Sequence, residues 1–385
     1  MATASVIEAP QAQGLARNQG IDLLRGLSIL LVILNHIGLR IPLARTALVS
    51  VLPHRLLVAL NYNGYESVFV FFVISGFLIA GNSLRRWGAL QHINLKAFYV
   101  RRFARIVPCL VLLVGVLSAL DLLGVQDYII KHANQSLWRA VVAALGLHLN
   151  WYEGRTGYLP GNWDVLWSLS IEEVFYVGFP LVCLLSRRTW VLVPLLVVLA
   201  LSLPVTHAAL RGNEIWQEKA YFPGMAAIAA GVLGALLVRQ AGMPRRIFTL
   251  LLSGAGAIGL AAVLLAGDVL WLTLRDGYML LLTFSVLCLV SGLYWREEAG
   301  WRHALPGFGW LRACGRLSYE IYLTHMFVVY AAVRLFRNLG GDMQSAYLWY
   351  LPVIVLCWAL GWLVSRFISV PLDHRLRKAL LAGST

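Results

Sequence analysis

Apolar runs long enough to cross a bilayer recur along nearly the whole chain, separated by short segments rich in Arg, Lys and Pro. One helical crossing needs about 20 predominantly apolar residues. By that measure the pattern predicts ten spans, near 23–41, 66–84, 104–123, 165–185, 189–206, 219–238, 248–266, 274–294, 314–336 and 347–366. The segment 136–151 (SLWRAVVAALGLHLNW) is apolar but short, and it carries Arg139 and His148. It is expected as a re-entrant or interfacial helix. The expected fold is an all-α polytopic membrane protein. Residues 1–22 form a cytoplasmic N-terminal segment, 23–366 the transmembrane domain and 367–385 a basic cytoplasmic tail. The first apolar run leads into Arg40 and Pro42 with no small-residue cleavage site, so it reads as a retained span. There is no fixed-period repeat, low-complexity tract or soluble domain.

Composition sharpens this. The 385 residues are 59% hydrophobic and only 13% charged, against about 25% charged in ordinary soluble domains. Disorder and a collagenous chain are excluded. The 32 basic and 18 acidic residues give a net charge of +14. On a soluble protein that excess would raise nucleic acid as a partner. Here it reads as topology, because basic residues stay on the cytoplasmic side. With the N-terminus inside, 21 of the 32 basic residues fall in inner segments, which supports N-in and C-in. A true span at 136–151 would turn Arg187, Arg188, Arg245, Arg246 and the tail outward. The five cysteines, Cys109, Cys183, Cys288, Cys314 and Cys357, are scattered through apolar stretches and read as packing residues.

Ionisable groups within spans are costly and therefore candidates for chemistry. The first span holds Asp22, Arg25 and His36. Eleven residues at ~100° and ~1.5 Å each put Arg25 and His36 on one helix face, ~16 Å apart. A snorkelling Arg and a packed core His are the plain alternative. Ser75 and Gly76 in the second span read as a packing notch or a site. Arg85, Arg86, Lys96, Arg101, Arg102 and Arg105 occur with no acidic residue among them. Arg101, Arg102 and Arg105 can converge as i,i+4 and i,i+3 neighbours. The run is either topogenic or an anion site for phosphates. In the fourth span Ser168, Glu172 and Tyr176 stripe one face. Glu172 and Glu173 lie too deep for packing alone to explain, short of a buried ion pair. In the ninth span Ser318, Tyr322 and His325 fall on or near one face, and His325 is as well explained by structure as by function. No motif suggests a metal, a P-loop or a Ser-hydrolase elbow.

Five elements in order, an Arg–x10–His, FFVISGF, RRFARIVP, WSLSIEEVFY and SYEIYLTH, resemble the acyltransferase-3 family of integral-membrane acyltransferases. The resemblance covers residues 20–371. It implies a ten-span core that transfers an acyl group, commonly acetyl, from cytoplasmic acyl-CoA to a hydroxyl. Acceptors in the family are typically cell-envelope or exported saccharides, which places the chain in a bacterial cytoplasmic (inner) membrane. Carried over residue by residue, the motifs fall on Arg25 and His36, on Ser75 and Gly76, and on Arg102 and Arg105. They also fall on Trp167, Ser168 and Glu172, and on Ser318, Tyr319, Tyr322 and His325. Many members have Glu–x–Pro after the last span, where this chain has Ser369-Val370-Pro371. Some members carry a C-terminal hydrolase-like domain, and none is expected within this chain.

Residues and resemblance give one expected scheme. Acyl-CoA is a co-substrate and no cofactor is permanently bound. Its phosphates dock on Arg101, Arg102 and Arg105 with Arg25 at the mouth, beside Ser75 and Gly76. His36 is the general base, in a direct transfer or one through an acyl-enzyme on His36, and Glu172 orients or stabilises its imidazolium or binds the acceptor. Asp22, Trp167, Ser168, Glu173, Tyr176, Ser318, Tyr322 and His325 support the acceptor or the site. A secondary transporter, with His and Glu as a proton relay, is the rival from another class. A flippase or polymerase of lipid-linked sugars is a third reading.

Overall fold

The computed structural model describes residues 18–301 and 306–382. Most of the expected segment 1–22, and with it Arg17, lies outside the described residues, as does Arg302. The described chain is helical: α1 Gln19–Gly38, α2 His54–Tyr62, α3 Gly64–Trp87, α4 Leu95–Leu122, α5 Leu137–Leu145, α6 Leu149–Thr156, α7 Gly161–Asp164, α8 Trp167–Ser186 and α9 Thr189–Leu201. There follow α10 Leu203–Ala208, α11 Glu214–Lys219, α12 Tyr221–Ala241, α13 Arg246–Leu274, α14 Gly277–Glu298, α15 Gly309–Arg316, α16 Ser318–Asn338, α17 Tyr350–Val364 and α18 Val370–Leu381. A π-helical turn, Ser365–Ser369, joins the last two.

Among the described residues, nine helical segments are long and apolar enough to cross a membrane. They correspond to the predicted spans except 314–336. That region is α16, 21 residues long, whose Ser318, Glu320, Thr324 and His325 lower its hydropathy. All four are buried inside the bundle, so the helix does not depend on an apolar surface. The other large difference is the start of α4. It begins at Leu95, where Asn94 caps it by accepting from the Ala97 amide, so Arg101, Arg102 and Arg105 lie inside the helix, as their i,i+3 and i,i+4 spacing requires, and not at its start. The segment 136–151 breaks into α5 and α6, nine and eight residues long, each too short to span. Their Ala140, Ala143, Ala144 and Leu149 pack on Leu110, Leu113 and Leu117 of α4 in a separate apolar cluster. The predicted tail is largely α18, which packs against α4.

α1 is the hub, in contact with α2, α3, α14, α15, α16 and α17. α9, α13 and α17 present Val198, Leu251, Ile258 and Leu351 outward. Large apolar side chains in such numbers on the outer surface belong against lipid. The chain is a multi-pass integral membrane protein.

α3 and α12 cross at glycines. A Cβ on Gly76 would lie 1.9 Å from the carbonyl oxygen of Ile228, and one on Gly231 would lie 2.1 Å from that of Val73. Small residues allow this close approach of backbones. Gly76→Ala is therefore expected to destabilise the protein by about 1–3 kcal/mol, the usual cost of overpacking. Gly81, with nothing within 4 Å of its Cβ direction, is the control. Thermal unfolding in detergent compares the two, and equal melting of Gly76→Ala and Gly81→Ala would contradict the close crossing.

Candidate active site

A cavity of about 620 Å³ opens among α1, α3, α4, α8 and the start of α16. Four arginines line it: Arg25 from α1, Arg102 and Arg105 from α4, and Arg316 from the end of α15. One carboxylate faces them, Glu172, on a wall shared with Ser168 and Tyr176 of α8 and Ser75 of α3.

Three of the four arginines are held by neighbours. Arg25 donates from Nε (3.2 Å) and Nη2 (2.8 Å) to Ser318 Oγ. Arg102 lies over the Tyr176 ring, 4.1 Å from its centroid, and Arg105 over Tyr319 at 4.9 Å, within cation–π range. Arg105 also pairs with Glu320 at 2.8 Å. The counter-charge that the sequence around 85–105 lacks thus comes from α16. Ser75 Oγ and the Tyr176 hydroxyl are hydrogen-bonded, and Tyr176 donates to Glu172 Oε2 at 3.5 Å. Ser168 Oγ and the Tyr322 hydroxyl share a hydrogen bond of 2.7 Å, and Tyr322 also donates to the Val165 carbonyl at 2.9 Å.

His36 does not line this cavity. It sits in the last turn of α1. Its ring packs on His325, with centroids 5.1 Å apart, and His325 packs on Tyr322 at 5.9 Å. Tyr322 is a cavity wall residue, so one layer, Tyr322 and His325, separates the arginine-lined space from His36. His325 Nδ1 is 2.8 Å from the Tyr322 carbonyl and 3.2 Å from that of Ile321. Carbonyls only accept, so Nδ1 carries the proton and Nε2 the lone pair. That Nε2 is buried with no hydrogen-bond partner among the described residues. Beyond His36, Arg40 donates to the His36 carbonyl at 2.8 Å and to Tyr330 Oη at 3.2 Å.

Several expected site residues are elsewhere. Gly76 is at the α3–α12 crossing and not on the cavity wall. Asp22 is buried in the first turn of α1, where its carbonyl meets Gly315 of α15. Trp167 packs between Tyr65 and Phe72. Glu173 points away from the cavity and its Oε1 has no hydrogen-bond partner among the described residues. Arg101 is off the wall too. Arg316, Glu320 and Ser369 did not emerge from the sequence as site residues. Glu320 carried a signal, an acid within a span. Ser369 carried one through the resemblance alone, as the position where many members have the Glu of Glu–x–Pro.

Among the described residues, no group of three His, Cys, Asp or Glu side chains could hold a metal. What the cavity offers is an anion site: converging guanidinium groups, next to hydroxyls and one carboxylate, with a histidine pair beyond.

The chain is 24% identical over 343 residues to a Staphylococcus aureus (strain COL) protein that carries O-acetyltransferase as an unproven assignment, covering 82% of this chain and 54% of that protein. It is 29% identical over 187 residues to the peptidoglycan O-acetyltransferase OatA of Listeria monocytogenes (strain EGD-e), 46% of this chain and 28% of that one. Against the O-acetyltransferase OatA of Staphylococcus aureus (strain NCTC 8325) identity is 34% over 130 residues, 31% and 20% of the two chains. The chain spans about half the length of the first of these relatives. No solved structure matches it significantly. A family model described as an acyltransferase domain matches residues 18–366, nearly the whole described bundle, and the chain therefore belongs to the acyltransferase-3 family.

Proposed function

We propose that this protein is a membrane O-acyltransferase, specifically an O-acetyltransferase, of a bacterial cytoplasmic membrane. It moves the acyl group from cytoplasmic acyl-CoA to a hydroxyl of a cell-envelope or exported saccharide. The observation that carries the reading is the cavity lined by Arg25, Arg102, Arg105 and Arg316 at one end of the His36–His325 layer. Phosphates of the donor pair with the guanidinium groups, and the pantetheine arm runs past Tyr322 and His325 to present the thioester at His36. The acceptor hydroxyl reaches His36 from the opposite side. His36 takes the hydroxyl proton, the oxygen attacks the thioester carbonyl, and the carbon–sulfur bond breaks. The proton then passes to the departing thiolate. The Tyr322–Ser168 pair and Glu172 orient the groups around the carbonyl. The peptidoglycan acceptor of the Listeria relative supports the saccharide class.

The test uses purified full-length protein in detergent. Acyl-CoA should raise its melting temperature and be consumed when a hydroxylated saccharide is added. Charge-assisted hydrogen bonds contribute about 1.5–3 kcal/mol each, so Arg102→Gln/Arg105→Gln should weaken acyl-CoA binding by at least about tenfold. The residual binding should be less sensitive to salt. Unchanged affinity in the double variant would reduce the arginines to topogenic signals and remove the donor site.

A further inference from the structure

The first turn of α16 touches two of the four cavity arginines. Ser318 accepts from Arg25, while Tyr319 and Glu320 both engage Arg105. Glu320 itself is 1% exposed and does not line the cavity. Its Oε1 receives two contacts at once. Arg105 Nη1 is 2.8 Å away, and Ser369 Oγ donates to it at 2.7 Å. Arg105 Nη1 also donates to Ser369 Oγ at 2.8 Å. The three groups close a triangle that joins α4, α16 and the π-helical turn Ser365–Ser369.

Two features distinguish this triangle from an ordinary structural ion pair. The pairing is monodentate: Glu320 Oε2 has no hydrogen-bond partner among the described residues, and one of the five guanidinium N–H donors of Arg105 is spent on Oε1. A second goes from the same Nη1 to Ser369 Oγ, and Arg105, with a side chain 30% exposed, keeps Nε and Nη2, three N–H donors, for the cavity. The third member is delivered by a π-helical turn, an irregularity found frequently at functional sites. Val370, next to Ser369, and Ser365 at the start of the same turn are cavity wall.

We infer that Glu320 is a positioning residue for the anionic donor. Sharing Oε1 with Ser369, it fixes the Arg105 guanidinium so that its outward N–H groups meet a phosphate without a search. The inference rests on the donor reading above. Arg105 lies at the phosphate end and not at the reacting carbonyl, so its contact is equally strong in ground and transition states. Loss of such uniform binding raises KM and leaves kcat unchanged.

The sign of the effect separates this role from its alternatives. Removing a negative charge next to an anion site strengthens anion binding by Coulomb's law alone. Glu320→Gln, nearly isosteric, should instead raise KM for acyl-CoA by about tenfold with kcat held, the loss expected for one misplaced charged hydrogen bond. Ser369→Ala, which removes only a hydroxyl, should shift KM the same way by less. The swap Glu320→Ser/Ser369→Glu returns a carboxylate to the same guanidinium from the opposite helix, and should recover most of the lost affinity.

Steady-state kinetics, direct acyl-CoA binding and melting temperature are measured for all four proteins. A KM that falls or stays constant in Glu320→Gln overturns the proposal, leaving a charge moderator or no role. A fall in kcat and melting temperature with KM constant overturns it in favour of a packing role. If Glu320→Gln does not fold, Ser369→Ala decides by the sign of its KM shift. Wild-type protein that binds no acyl-CoA removes the donor reading and this inference together, whereas normal wild-type binding with unaffected variants removes this inference alone.

Discussion

His36→Ala is expected to insert, fold and bind acyl-CoA as the wild type does, yet to lose acyl transfer by about 10²–10⁴-fold, the contribution of a positioned general base. Binding survives because His36 is not a wall of the arginine-lined cavity. The chemistry fails because the variant puts no lone pair where the acceptor hydroxyl must give up its proton. Under the same assay His325→Ala should cost less, with part of the loss appearing as a lower melting temperature. His325 is fully buried and its Nδ1 is engaged by its own helix. The informative contrary result is near-full transfer in His36→Ala with none in a well-folded His325→Ala. It would place the base on α16, at the His325 Nε2 that already holds a lone pair.

The second large effect is on stability and owes nothing to catalysis. Lys219 is buried at the end of α11, where its Nζ contacts Glu153 Oε2 at 3.0 Å and also Asp164 Oδ1. Asn150 donates to the Lys219 carbonyl at 2.9 Å, and the Leu159 amide donates to Glu153 Oε1 at 3.0 Å. One ammonium thereby ties together α6, α7 and α11, three short helices with little apolar surface of their own. Lys219→Met should destabilise the protein by about 3–5 kcal/mol, because it strands a fully buried carboxylate without its counter-charge. Adding Glu153→Gln should recover a substantial part of that loss, since no uncompensated buried charge remains at Glu153. Unfolding in detergent, read as the double-mutant cycle, checks both. Additive losses in the two single variants would show that Lys219 and Glu153 do not act as a pair.

The arginine cavity and the Lys219 cluster differ in how far they could be read in advance. Span existence, the short 136–151 segment and the all-helical class follow from hydropathy alone, because a bilayer demands long apolar helices with internally satisfied backbones. The stripe of Ser168, Glu172 and Tyr176 follows from helix geometry, which is local. Arg25 and His36 share a face for the same reason. Whether a side chain on such a face meets a cavity, a neighbouring helix or lipid depends on which helices cross and how closely. Gly76 reads in sequence as part of a motif beside Ser75, but 100° of rotation turns it into α12 while Ser75 faces the cavity. Arg101 and Arg102 separate in the same way. The counter-charge for Arg105 lies 215 residues further on, at Glu320, and the hydroxyl completing that triangle is at Ser369. The layer between cavity and His36 pairs His325 with a residue 289 positions earlier. The sequence by itself determined the solvent each helix requires and the face each polar group shares. Only the tertiary structure decided which faces meet, since contacts between helices hundreds of residues apart are set by packing of the whole bundle and leave no local periodicity.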